Sequence, residues 1–121
     1  YHSSSSSYHR SGATADYMPY MYIADVSGCD FVPTFGEAPA PYGAPLADAI
    51  INSLSHEQFE MVSDPGGQGW YGSGGDSEIA DRCETSFGPP ASDGSTVRLA
   101  NGHGYAIQRE WSNATNSCTY G

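Results

Sequence analysis

Between residues 45 and 63 the apolar side chains recur at helical spacing. Leu46, Ile50, Leu54 and Met61 fall on one stripe, flanked by Ile51 and Val62. Pro45 stands at the first turn, Asp48 lies near the positive end, and "DPGG" at 64–67 stops the pattern. A helix is predicted, with the stripe as its core face. At about 100° per residue, Ala49, Ser53, His56 and Glu60 share an adjacent arc, and Glu57 lies between that arc and the apolar stripe.

The tail changes period. "STVRLA", Asn101-Gly102 and "HGYAIQREWS" alternate apolar and polar residues about an Asn-Gly pair, the signature of a tight β-hairpin. Its buried face is expected to carry Val97, Leu99, Tyr105, Ile107 and Trp111. Upstream, "DYMPYMYIADVSGC" reads as a buried strand bent at Pro19. "FVPTFGEAPAPYGAP" and "GGQGWYGSGGDS" are too rich in Pro or Gly for regular structure. Residues 1–15 form a Ser-rich arm or loop, and 16–121 form a single domain. The expected fold class is α+β: one main helix packed on a small antiparallel sheet, a C-terminal β-hairpin, and long Gly, Pro and Ser-rich loops.

Charge narrows the partners. Fourteen acidic residues against four Arg and no Lys give a net charge of −10, a field that repels nucleic acid and anionic lipid and tolerates metal cations or neutral glycans. No apolar run approaches the roughly 20 residues of a membrane span. The chain begins at Tyr1 without Met, from which we expect a processed or partial product of a longer protein. Cys29, Cys83 and Cys118 lack the Cys-x-x-Cys spacing of metal sites, and "NAT" at Asn113 is an N-glycosylation acceptor pattern. Together they suggest a secreted glycoprotein with one disulfide and one thiol left for an outside partner.

The chemistry concentrates in "SHEQFE", residues 55–60. His56 and Glu60 stand four residues apart on one helix face and can share a ligand. A third metal ligand is expected from "EIAD", namely Glu78, with Asp81 behind His56 orienting its ring. Glu57 is the candidate general base. The layout is similar to the gluzincin metallopeptidases, a zincin-like arrangement in which His-Glu-x-x-His is followed by a Glu and then an Asp. Here Glu60 replaces the second His, which neutralises a zinc centre and weakens its acidifying power, while opening the set to calcium. Zinc is the expected cofactor, with calcium as the alternative. An ordinary polar helix face is the competing explanation of these residues.

"DAIINSLSHEQFEMVSDPGGQGWYG", "EIADRC" and "NGHGYAIQREWSNATNSC" together resemble the Exordium/phosphate-induced protein family, and particularly its fungal and bacterial secreted relatives. The resemblance runs through most of 44–118. It implies an extracellular or cell-wall location and makes this chain the C-terminal half of a larger family domain. Partners are then an upstream half-domain or a neighbouring subunit, reached through strand edges or Cys29, a second copy of the chain, or extracellular matrix and glycan. Cys83 and Cys118 are expected to form the internal disulfide. Two functions stay open: a zinc-dependent, peptidase-like hydrolase, and a non-catalytic structural subunit that self-assembles into a filament or matrix around a structural metal.

Overall fold

A computed structural model of the chain describes residues 21–23, 41, 43–65, 69–72 and 77–120. The Ser-rich arm, Cys29, most of the strand predicted within 16–29 and much of the Gly-rich loop lie outside these residues. Met21, Tyr22 and Ile23, the described part of that strand, are in no strand.

Helix α1 spans Pro45–Ser63, with Pro45 in its first turn where a missing N–H is harmless. It ends at Asp64, whose N–H donates to the Glu60 carbonyl at 2.7 Å, and Pro65 follows. Gly69 then returns against the helix end. A Cβ there would stand 2.3 Å from the Ser63 carbonyl oxygen and 2.7 Å from the Asp64 Cα, so only glycine fits. A short 3₁₀ turn follows at Asp81–Cys83.

Four short strands make two antiparallel pairs. In the first, β1 (Val97–Arg98) pairs with β2 (Gly104–Tyr105) in the register Val97↔Tyr105 and Arg98↔Gly104. The predicted Asn-Gly turn closes it. Gly102 has φ +85°, and the N–H of His103 donates to the Asn101 side-chain oxygen at 2.9 Å. Thr96 extends the pairing: its hydroxyl donates to the Ile107 carbonyl and accepts from the Ile107 N–H. In the second pair, β3 (Glu110–Ser112) meets β4 (Ser117–Thr119), with Trp111 opposite Cys118. The expected single hairpin is thus two, and the strand at 117–119 had no separate signal in the sequence.

The Cys83–Cys118 disulfide joins the 3₁₀ turn to β4 as expected. Trp111 N–H donates to the Ile79 carbonyl and Arg109 N–H to the Ser86 carbonyl, which lays the 109–111 segment along 79–86. The Arg82 guanidinium stacks over the Trp111 ring at 4.0 Å.

The periodicities are those predicted, but the buried faces are the opposite ones. On α1 the buried residues are Asp48, Ala49, Asn52, His56, Glu57 and Glu60, whereas Leu46, Ile50, Leu54, Phe59 and Val62 are exposed. On the tail, Gly104, Ala106, Gln108 and Glu110 are buried, while Val97, Tyr105 and Ile107 are half-buried and Leu99 is exposed. Ala49, Ala80, Cys83 and Ala106 are the buried apolar residues among those described. Small side chains at these points let α1, the 78–83 segment and the 104–110 segment approach closely, and polar side chains fill what remains. Burial of such groups is costly unless they bond, and several bond to one another, whereas both carboxylate oxygens of Asp48 have no hydrogen-bond partner among the described residues.

Candidate metal centre

An i, i+4 ladder runs down the buried side of α1: Asp48, Asn52, His56 and Glu60, continued by Asp64 just beyond the helix end. Asn52 Oδ1 accepts the Gln108 backbone N–H at 2.7 Å and so pins the tail strand to the helix. Gln108 in turn uses both ends of its side chain. Its Nε2 donates to the Ala80 carbonyl at 2.8 Å, and its Oε1 lies 3.2 Å from His56 Nδ1.

That arrangement fixes the histidine. Because the Ala80 carbonyl can only accept, the Gln108 amide must turn its oxygen to the imidazole, and Nδ1 must carry a proton to donate to it. The other ring nitrogen, Nε2, lies 3.0 Å from Glu60 Oε1 and 3.4 Å from Asp81 Oδ1. In a neutral ring this nitrogen would point a lone pair at two carboxylates. Something positive must stand there, either a second proton or a metal cation.

The surroundings reinforce the demand. Ligand atoms of His56, Glu57 and Glu60 lie within 4.8 Å of one another, and so do those of Glu60, Glu78 and Asp81. Glu60 belongs to both groups, and its Oε1 also accepts the Asp81 backbone N–H at 3.2 Å. Of the predicted ligands, His56 and Glu60 are buried and Glu78 is half-buried, as is Asp81, expected to orient the His56 ring. The fold brings all five residues singled out in the sequence to one place. Asp81, expected behind the ring, has its Oδ1 on the Nε2 side with Glu60, while Gln108 occupies the Nδ1 side.

Gln108, Asn52, Asp64 and Glu110 were missed in the sequence. The repeat of polar residues every four positions from Asp48 to Asp64 was the signal for the helical ones. Nothing local distinguished Gln108 or Glu110, which follow from the parity of a strand whose buried face the sequence misassigns. Both Glu110 carboxylate oxygens are buried without a hydrogen-bond partner. Farther along, Asn113 is exposed and accepts a hydrogen bond from the Trp111 indole at 2.9 Å.

The electrostatics match this crowding. Burial, then the charges of Glu60, Asp64, Asp81 and Glu57, push the Glu78 carboxyl up to about 7. Burial also raises Glu110 to about 8; the neighbouring Glu60 adds to the rise and His56 opposes it. For His56, burial is the largest influence and lowers the pKa, but the Glu60 hydrogen bond and charge, with Gln108 and Asp81, outweigh it and raise the group to about 9. Tyr71 is raised to about 12, chiefly by its hydrogen bond to Asp64.

Without metal, Glu78, Glu110 and His56 each bind protons more tightly folded than unfolded, so stability falls as pH rises. The acids act from their ordinary 4.5 upward until about 7 and 8, and the His56 contribution, complete below 6.5, is lost through about 9. Asp93, lowered to about 2 by its bonds to Ser95, acts oppositely but only below its ordinary 3.8. Melting of chelator-treated protein is therefore expected to fall steadily from pH 5 to 9. Saturating zinc should flatten or reverse that slope, since the metal competes with the same protons.

No known family profile and no solved structure matches the chain. The chain is similar to Protein EXORDIUM-like 3 of Arabidopsis thaliana, at 30% identity over 105 residues, covering 74% of this chain and 31% of the relative. It thus spans about a third of the length of the relative it matches.

Proposed function

Since the chain is a distant relative of the Exordium family, we propose that it is a secreted, extracellular protein whose main helix carries a divalent metal centre. The observation that supports this reading is the state of His56, with Nδ1 donating to Gln108 while Nε2 faces Glu60 and Asp81. His56 and Glu60 would hold the ion from the helix, and Glu78 and Asp81 from the segment that follows the Gly-rich loop. One imidazole among carboxylates favours zinc over calcium, which seldom takes nitrogen. An ion there would tie α1 to the 78–81 segment and supply positive charge among the carboxylates of Glu57, Glu60, Glu78 and Asp81. The disulfide, which needs an oxidising compartment, supports secretion.

A second reading gives the same centre a hydrolytic role. It is favoured by Glu57, whose carboxylate lies in the same group as His56 and Glu60, and by the half-buried Glu78 and Asp81, which leave one side accessible. The ion would supply Lewis-acid polarisation, and Glu57 would take up a proton.

Glu57→Gln separates the two. The change is nearly isosteric and removes the proton acceptor. If the centre only holds the fold, zinc content and melting stay within experimental error of the parent, and no peptide or glycan turnover is found in either protein. Turnover in the parent that the variant loses with its metal retained would establish the hydrolase. Absence of zinc or calcium binding by calorimetry in the parent would remove both readings.

A further inference from the structure

The apolar stripe of α1 faces outward with nothing described upon it. Leu54, Phe59 and Val62 are 43%, 45% and 72% exposed, and Leu99 on the neighbouring hairpin is 49% exposed. Together with Ile51, Val97, Tyr105 and Ile107, they line an open groove of about 400 Å³ between the helix and the β1–β2 pair. None of its lining residues is ionisable at neutral pH, although the chain carries a net charge of −10. Leu46 and Ile50 continue the apolar strip to the start of the helix. From Leu46 to Val62 it runs about 24 Å at the helical rise. The exposed side chains sum to on the order of 500 Å² of apolar surface, as much as the largest patch on a typical monomer and more than half of what one partner gives a standard interface.

A surface of this length and neutrality suits a polypeptide with an apolar face, and is larger than a small ligand would cover. A second copy would bring another net −10 toward the contact, which opposes pairing. The similarity covers only 31% of the relative, so about two thirds of that protein's length is unmatched here. We propose that the groove is an internal seam of the family domain, the seat of an apolar, strand-forming portion of that unmatched remainder. The two-residue strands of the β1–β2 pair, a two-stranded sheet among the described residues, would be extended by the same portion. The two inverted faces then have one cause: the apolar sides of α1 and of the 97–107 segment are turned toward the same absent layer.

The proposal is independent of the metal. It is tested with the 121-residue chain and a chimera in which residues 41–120 replace the matched stretch of EXORDIUM-like 3. In the chimera, backbone amides of 51–62 and 97–107 are expected to exchange hydrogen at least tenfold more slowly than in the chain alone. Leu54→Asp with Phe59→Asp should abolish that slowing while leaving the circular dichroism of the isolated chain unchanged. Equal exchange in the two proteins would overturn the seam. So would a concentration-dependent dimer of the isolated chain that the double substitution dissociates, which would assign the face to a second copy. If the chimera does not fold, the same comparison between intact EXORDIUM-like 3 and its excised matched stretch decides: slower exchange in the intact protein supports the seam, and equal exchange overturns it.

Discussion

His56→Ala is expected to abolish measurable zinc binding, lowering affinity at least about 100-fold. The magnitude follows from the geometry. His56 is the nitrogen donor of the proposed centre, and the partners that merely orient a ligand typically change affinity 10- to 100-fold. Gln108→Ala is such a partner, holding Nδ1 at 3.2 Å and braced on the Ala80 carbonyl. It should weaken zinc roughly 10-fold and leave the stoichiometry at one. In metal-free protein His56→Ala also matters, because a buried imidazolium between Glu60 and Asp81 is then replaced by unopposed carboxylates. Removing one partner of a buried pair costs about 3 to 5 kcal/mol. Part of that cost should disappear below pH 5, where the carboxylates take up protons. Calorimetric titration with zinc, with melting curves at pH 5 and 8, measures both effects. Equal zinc affinity in parent and His56→Ala would place the metal elsewhere.

Cys118→Ser is the second large effect. The bridge to Cys83 closes 35 residues of chain, for which the chain-entropy relation gives about 4 kcal/mol. In a domain of this size that corresponds to a fall in melting temperature of roughly 15 °C or more. The loss should also reach the metal centre. The bridge anchors β4 to the turn that begins at Asp81, and β4 in turn pairs with the strand that starts at Glu110. Zinc affinity of Cys118→Ser is therefore expected to fall along with its stability, and reduction of the parent protein should reproduce both changes. A reduced parent that melts where the oxidised one does would show that the bridge adds nothing to the fold.

The residues by themselves determined that 45–63 is a helix, that Asn101-Gly102 is a hairpin turn, that Cys83 and Cys118 belong together, and that His56, Glu57, Glu60, Glu78 and Asp81 cluster in space. Each of these rests on local spacing, turn chemistry or a family motif, and local preferences survive whatever surrounds them. The inward faces were decided only in three dimensions. Periodicity states which side chains lie together on a helix or strand, but the side that is buried depends on what packs there. In this chain Asn52 and His56 of the α1 ladder find their partner in Gln108, and Glu60 finds its partner in Asp81, residues 21 to 56 positions distant in sequence. The second strand pair was equally invisible. Ser117–Thr119 is too short to carry an alternating pattern, and it becomes a strand because Cys118 is bound to Cys83 and Asn116 takes the left-handed turn, φ +50°, that brings it back beside Trp111. Buried polar groups are stabilised by partners rather than by their own hydrophobicity, and such partners are supplied by the tertiary fold.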